Sequence, residues 1–413
     1  MLKAYKKAKS IKQIRACFPA LAYSDLTYLD NAASTQTVDS AIKAVSDYHY
    51  NYRANVHRGD FKTSHIATDL YDEARVEVAK LINCEPYEIA FTAGTTESMN
   101  MVAEHYATDG RKVIITHLEH HSNSLPWMRQ GRTTKNNGLI VCKATDVGDV
   151  SMQDWEEVCT ENPGNIVSFI TQSNLSGHML KWQQMVHIAK ENDCEVILDA
   201  CQSIAHQQID TKMNNIDWIA FSGHKMFAST GIGVLFHRGG FTGDHNIESR
   251  LGGGTVSHVD YETGYVLNND VSQVEAGTPN IAGVHSMGAA AKWIQEISYK
   301  EIQECEAEFY NMLKDKGLFD IEELILIGDP YPRSVYSFVV DPSLSYNASD
   351  IAGYLDFENV CVRTGHMCAY PASYRYNPEG SGVFRVSVGP YNDEHDCVKL
   401  VEGLWKAIKK LNK

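Results

Sequence analysis

The run WIAFSGHKMFASTGIGVLF, Trp218 to Phe236, decides the fold. Its first four residues, Trp218-Ile219-Ala220-Phe221, read as a buried strand that delivers a lysine into the small polar cluster Ser222-Gly223-His224-Lys225. A second apolar run, Ile232 to Phe236, leaves that cluster through Gly231 and Gly233. A lysine at the exit of a buried strand opposes folding, because burial penalises its charge. The same burial lowers its pKa and makes the amine a nucleophile, which is what a Schiff-base lysine needs. Taken alone, the stretch fits a surface lysine beside a glycine-served hairpin equally well.

Outward from this run, other apolar segments alternate with helical patterns, the signature of βα units and a mostly parallel sheet. Glu88 to Thr92 ends in Ala93-Gly94-Thr95-Thr96-Glu97. Lys112 to Thr116 ends in His117-Leu118-Glu119-His120-His121. Asn165 to Thr171 ends in Gln172-Ser173-Asn174, and Glu195 to Leu198 in Asp199-Ala200-Cys201-Gln202. With Ile216 to Phe221, five runs terminate in residues able to do chemistry. In open α/β sheets ligands bind outside the carboxyl ends of the strands, so the five ends are predicted to converge on one crevice.

The rest of the chain sets the frame. At 413 residues it is too long for one simple core, and two unequal domains are expected. The formal net charge of −15 argues against nucleic acid and anionic membranes as partners. No apolar run approaches the length of a membrane span. None of the ten cysteines is spaced as CxxC, which removes zinc ribbons and thioredoxin-type sites. A reducing, cytoplasmic setting is the default, although Lys3, Lys6, Lys7, Lys9, Lys12 and Arg15 precede any acidic residue and leave an organellar leader open. Helical patterns run from about Val38 to Tyr52, Ser64 to Leu81 and Ile281 to Ser298. Gly252-Gly253-Gly254 and the polar stretch to Asp270 read as an irregular excursion. The large domain is expected over 25–294, and 1–24 with 295–413 form the small one. The small domain carries a helix near 300–315, strands near Val335–Val340 and Val360–Arg363, and a terminal helix with Cys397, Leu400, Val401, Leu404, Ile408 and Leu411 on one face.

Each constellation has a bland and a chemical reading. Gly94-Thr95-Thr96 at a strand-to-helix turn is a phosphate cradle or a helix cap; it lacks Walker spacing. Asp199 is an N-cap or a buried carboxylate that keeps a ring nitrogen protonated. The order HxEHH at 117–121 invites zinc, yet it matches neither HExxH nor HxxEH, and an imidazole also stacks or shuttles protons. Cys368 follows Gly365-His366-Met367 in a polar turn near Arg363, the setting of a reactive thiolate. Arg58, Arg363 and Arg385 can each clamp a carboxylate.

Taken in order, Glu119-His120-His121, Leu198-Asp199-Ala200-Cys201-Gln202, Ser222-Gly223-His224-Lys225, Glu275-Ala276-Gly277-Thr278-Pro279-Asn280 and Arg363-Thr364-Gly365-His366-Met367-Cys368 resemble the class V, fold-type I pyridoxal 5′-phosphate enzymes. Among these the chain is most similar to group II (SUF-type) cysteine desulfurases and selenocysteine lyase-like proteins, from about Ile14 to the last helix. The resemblance implies an α/β fold with a large, mostly parallel, seven-stranded type of sheet and a smaller α+β C-terminal domain. It implies that Lys225 carries the cofactor as a Schiff base, His120 stacks on the ring, Asp199 pairs with its nitrogen and Gln202 contacts its phenolic oxygen. Thr95, Thr96, Ser222 and His224 would hold the phosphate, with Thr278 arriving from the second subunit of a homodimer. Asn174 would lie beside the ring, Arg385 would bind the substrate carboxylate, and Cys368 would accept sulfur as a persulfide.

The implied reaction is conversion of L-cysteine to L-alanine, with sulfur passed to an acceptor protein in iron–sulfur cluster assembly or other sulfur trafficking. The alternatives on the same fold are a selenocysteine lyase, another C–S lyase or an aminotransferase. Two departures stand out: Met367 occupies a place where the family often has a second histidine, and the segment Tyr374 to Val383 is longer than usual.

Overall fold

The computed structural model describes residues 10–22, 24–241, 250–378 and 382–412. Lys3, Lys6, Lys7 and Lys9 lie outside the described residues, as does part of the Tyr374–Val383 segment.

A seven-stranded sheet carries the large layer, in the spatial order Ile89–Thr92, Gly233–His237, Trp218–Ser222, Glu195–Asp199, Ile166–Ile170, Val113–Thr116, Leu139–Cys142. Gly233–His237 pairs antiparallel with both of its neighbours, and the remaining pairings are parallel. Six strands therefore run the same way, and their carboxyl ends share one edge.

The pleat divides each strand between two cores. Phe91, Ile114, Val167, Phe169, Val196, Leu198, Ile219, Phe221, Val234 and Phe236 face one way. There they meet Tyr71 and Val78 of the helix Lys62–Ile82, and Val284, Met287 and Ala291 of the helix Ile281–Ile297. Their neighbours Ala90, Val113, Ile115, Ile166, Ile197, Trp218, Ala220 and Leu235 face the other way, against Met99 and Val102 of the helix Thr95–His105 and against Trp127. Strands covered on both faces read as continuous apolar runs, which is why they are conspicuous in the sequence.

A smaller antiparallel sheet orders Leu324–Leu326, Val335–Val340, Val383–Ser387 and Arg363–Gly365. The helices Tyr299–Asp315, Ala348–Phe357 and Glu394–Leu411 cover it through a third core that includes Tyr336, Phe338, Phe384, Leu400, Leu404 and Ile408. Leu29 belongs to this core, and Thr27–Tyr28 pairs in parallel with Val360–Cys361. Ile14, Phe18 and Leu21 instead join the larger core, where Phe18 sits edge-on to Phe227, Trp293 and Tyr391. Arg15 ties this segment to the last helix through Asp396 at 2.7 Å.

The stretch after Gly254 is not irregular. Val256–Asp260 and Gly264–Leu267 form a two-stranded antiparallel hairpin, with Asp260 accepting the turn's Glu262 and Thr263 N–H groups. Its residues are exposed on both faces, so the apolar periodicity that marks a half-buried strand is missing. Among the described residues no helix is long and apolar enough to cross a membrane.

Candidate active site

The five strand ends meet. A cavity of about 260 Å³ at the carboxyl edge of the large sheet is lined by Thr95, Thr96, His120, Asn174, Asp199, Gln202, Ser222, His224 and Lys225. Arg363 and Arg385 close it from the small sheet, and Cys368 from the turn that follows the strand Arg363–Gly365.

Lys225 ends a single 3-10 turn, Gly223–Lys225, that follows the strand Trp218–Ser222 directly. The turn is held from below and from the side. Gly223 N–H donates to the Ile232 carbonyl at 2.9 Å, and the His224 carbonyl accepts from Thr35 N–H at 2.8 Å and from the Ser34 hydroxyl at 3.2 Å. Gly223 has no room for a side chain, since a Cβ would stand 2.7 Å from Ile232. Lys225 is half-buried, not fully enclosed as the sequence suggests, because its amine opens into the cavity.

The helix Thr95–His105 starts at the same edge. Gly94 adopts φ +153°, and a Cβ on Gly233 would come within 2.5 Å of the Gly94 Cα, so both positions need glycine. This close approach seats Ser222 against the helix start: its Oγ accepts from Thr95 N–H and lies 2.8 Å from the Thr95 hydroxyl. Thr96 Oγ1 stands 2.7 Å from Ser122 Oγ at the start of the next helix, His121–Arg129. Two helix N-termini and four hydroxyls in one corner suit a phosphate.

The three histidines of the HxEHH run do different things. His120 caps the helix, its Nδ1 accepting Ser122 N–H at 3.1 Å, and burial with the neighbouring Lys225 charge pushes its pKa down to about 3. It therefore presents a neutral ring to the cavity. His121 Nε2 accepts Tyr370 N–H at 3.1 Å, and His121 N–H donates to the Cys368 carbonyl at 2.7 Å. Burial lowers the basicity of His117, whose side chain does not line the cavity. Glu119, buried beneath, accepts from Thr116, Asn123 and the Ile170 N–H, fastening this loop to the adjacent strand.

Asp199 is buried and accepts Cys201 N–H at 3.0 Å; burial raises its pKa. Its remaining lone pairs are available to a protonated ring nitrogen. Gln202 Nε2 donates to the Ala32 carbonyl at 2.7 Å. Asn174 Nδ2 donates to the Met367 carbonyl at 2.6 Å, while Asn174 Oδ1 is buried without a hydrogen-bond partner. A corner of hydroxyls and helix N-termini, a buried carboxylate and a neutral imidazole lining one cavity suit a phosphorylated pyridine.

Cys368 is exposed. Met367 and Cys368 both adopt left-handed φ, 55° and 52°, an uncommon pair for residues bearing a Cβ. The turn holds because His121 N–H binds the Cys368 carbonyl, Asn174 binds the Met367 carbonyl and Ala369 N–H binds the His366 carbonyl at 2.9 Å. Met367, in the family's second-histidine place, is buried and brings no proton donor. His366 instead bonds Ser373 at 3.2 Å and packs on Tyr370.

Arg385 is 2% exposed and donates to the Asn174 carbonyl at 3.0 Å; its Nε has no partner. Arg363 is half-exposed. The sequence reading missed what joins them. Asp30 accepts two bonds from Arg363 Nε at 3.0 Å, one from Arg363 Nη2 at 2.7 Å and one from Arg385 Nη2 at 3.1 Å. The signal was present, since Asp30 also ends a strand-like run before Asn31-Ala32-Ala33.

Arg58 and Thr278 do not line this cavity. They line a second one with His57, Arg75 and Gly277. There Glu275 is clamped by Arg75 at 2.8 Å and accepts Phe91 N–H at 2.7 Å, which fixes the loop leading to Asn280, the cap of the helix Ile281–Ile297.

The sequence profile of the aminotransferase class-V family matches residues 27–400. A probable cysteine desulfurase of Pyrococcus abyssi is 35% identical over 397 residues, covering 94% of this chain and 95% of that protein. One of Halalkalibacterium halodurans is 31% identical over 404 residues, covering 95% and 97%. The apo cysteine desulfurase of Thermococcus onnurineus superposes with a TM-score of 0.88 at 31% identity, over 98% of this chain and 100% of that one. The cysteine desulfurase CsdA of Escherichia coli, in an S-sulfonic acid form, gives 0.84 at 27% identity, over 98% and 100%.

Proposed function

This chain belongs to the aminotransferase class-V family as a pyridoxal 5′-phosphate-dependent cysteine desulfurase, and from that premise we propose how its residues divide the reaction. The observation that carries the proposal is the single cavity in which Lys225, Asp199, His120 and the Thr95–Ser222 corner face Cys368 and Arg385.

Thr95, Thr96, Ser222 and His224 would hold the phosphate, and Lys225 the aldehyde carbon. His120, kept neutral by burial, would cover the ring, and Gln202 would lie toward its phenolic oxygen. When bound, the cofactor supplies a cationic ring that takes up electron density from the substrate Cα. Asp199 would hold the ring nitrogen in its protonated form, since a buried carboxylate is stabilised by an adjacent cation.

Arg385, fixed by the Asn174 carbonyl, would bind the L-cysteine carboxylate through nitrogens left free, with Asn174 beside the ring. Lys225 Nζ would take the proton from Cα and return one to the product. Cys368 Sγ, as thiolate, attacks the substrate sulfur. An S–S bond forms, the Cβ–S bond breaks with its electron pair on carbon, and a proton completes the methyl group of L-alanine. The persulfide left on Cys368 is exposed, where an acceptor protein can reach it.

We assign the chain to the group II type because Cys368 lies on a short turn held between the strand Arg363–Gly365 and the helix Tyr370–Tyr376. Arg58 and Thr278, which share a separate cavity, support a homodimer in which each copy offers them to the other's site.

The test is the product of L-cysteine turnover by the purified yellow protein in excess dithiothreitol. Alanine with equal sulfide supports the assignment. Pyruvate and ammonia with sulfide would make the chain a C–S lyase and remove the role of Cys368.

A further inference from the structure

The dipeptide His120-His121 serves two sides of the cavity. His120 lines it and would cover the cofactor ring, whereas His121 does not line it and bonds instead to the Cys368 turn. The His121 N–H donates to the Cys368 carbonyl at 2.7 Å, and its ring Nε2 accepts Tyr370 N–H at 3.1 Å. One residue thus grips the chain on both sides of Ala369, directly after the sulfur-bearing position.

Both bonds answer a need of the backbone. The first N–H groups of a helix have no partner within it. His121 opens the helix His121–Arg129 and Tyr370 opens the helix Tyr370–Tyr376, so both donors are of this kind. Each is met by the other segment, one by the Cys368 carbonyl and one by the imidazole. The ring can accept because it is neutral: burial and the neighbouring His366 lower its basicity.

The turn does not hold itself. Met367 and Cys368 both take left-handed φ, and the exposed Cys368 side chain has little packing to fix where its sulfur points. Asn174 restrains the Met367 carbonyl, ahead of the cysteine. At Cys368 and Tyr370, among the described residues, the backbone bonds to a distant segment only through His121. Since His120 and His121 are consecutive, the helix start that places an imidazole in the cavity also mounts the nucleophile. We propose that His121 is a positioning residue for that nucleophile: its ring nitrogen, on Tyr370 N–H, holds the Cys368 turn where Sγ meets the substrate sulfur. This rests on Cys368 being the sulfur acceptor of the desulfurase reading. The loss on removing the ring is then confined to the step that uses Cys368.

The test separates that step from the rest of the reaction. Alanine formation is measured from L-cysteine, which on this reading needs Cys368, and from L-cysteine sulfinate, which does not. With the sulfinate the Cβ–S bond breaks without thiolate attack, and water converts the departing group to sulfite. The proteins are the wild type, His121→Leu, which fills the site without an acceptor, and His121→Gln, which offers a side-chain oxygen. Hydrogen exchange over residues 366–370, followed by mass spectrometry of each holoprotein, reads the mount without turnover. His121→Leu is expected to lower kcat/KM for L-cysteine about tenfold, to leave that for the sulfinate within about twofold and to speed exchange over 366–370. His121→Gln is expected to recover most of the L-cysteine rate and of the protection.

Equal losses with both substrates would make His121 a general brace and overturn the proposal. Unchanged L-cysteine turnover or unchanged exchange in His121→Leu would do the same, as would a glutamine variant as impaired as the leucine one. His121→Ala takes the place of His121→Leu if that variant folds poorly. If the wild type makes no alanine from L-cysteine, the desulfurase reading fails, and the exchange rates still decide whether His121 holds the turn.

Discussion

The two reactive side chains of the cavity are mounted in opposite ways. Lys225 closes a turn that follows a buried central strand without a loop, and the preceding Gly223 and His224 bind that turn to Ile232, Ser34 and Thr35. Cys368 stands exposed on a turn with two successive left-handed residues, held by one bond each from His121, Asn174 and Ala369. In the proposed reaction the lysine would act on a cofactor that stays, which suits a rigid and shielded mount. The cysteine would meet first a small substrate and then another protein, which suits an exposed side chain on a restrained backbone. Left-handed φ at residues with a Cβ costs of order 1 kcal/mol each, which two tertiary bonds and one local bond offset.

Three changes test this contrast, the largest first. Lys225→Ala should abolish alanine formation, a loss of about 10³-fold or more, while the fold is kept because the turn is held by its backbone. Full-rate turnover by that variant would remove the lysine from the chemistry.

Cys368→Ala should reduce L-cysteine turnover by roughly 10²-fold or more and spare L-cysteine sulfinate, whose leaving group needs no thiolate. Melting temperature should stay within about a degree, since the side chain is exposed. Unchanged cysteine activity would show that the sulfur acceptor lies elsewhere.

The smallest effect concerns the cofactor side. His120 and His224 are held neutral in the fold, with pKa values pushed down to about 3 and about 4 by burial and by Lys225. An unfolded histidine takes up a proton below about pH 6.5, so the unfolded chain binds more protons and stability falls as pH drops through that value towards 4. The loss near pH 5.5 should be about 1 kcal/mol per imidazole, read as a lower melting temperature of the holoprotein than at pH 7.5. His120→Asn should flatten that slope, and an equally steep slope in the variant would place the titration elsewhere.

Much of this was legible because burial on both faces writes itself into the chain as uninterrupted apolar runs. Trp218–Phe221, Val113–Thr116 and Ile166–Ile170 each end abruptly in polar residues, and that change of character marks a strand end at the crevice. The hairpin Val256–Leu267 was illegible for the converse reason, since neither of its faces is covered. Asp30 was visible as a strand-end carboxylate, yet its bond to Arg363 spans 333 positions, and no local pattern encodes such a pairing. Arg58 and Thr278 carried site-like chemistry but fold to a different cavity, because the loop of Glu275 is fastened to Arg75 and Phe91.

By itself, then, the sequence determined the mostly parallel α/β layer, the convergence of its five strand ends on one crevice and the lysine and carboxylate that they carry, and it marked Cys368 by its polar turn. These rest on local properties: apolar runs, glycine at close approaches, and polar residues at strand termini. Tertiary structure alone decided that Asp30 couples Arg363 to Arg385, that His121 straps the Cys368 turn, and that Lys225 is half-open to the cavity. Each of these joins residues from separate segments, and only a completed fold sets the distance between them.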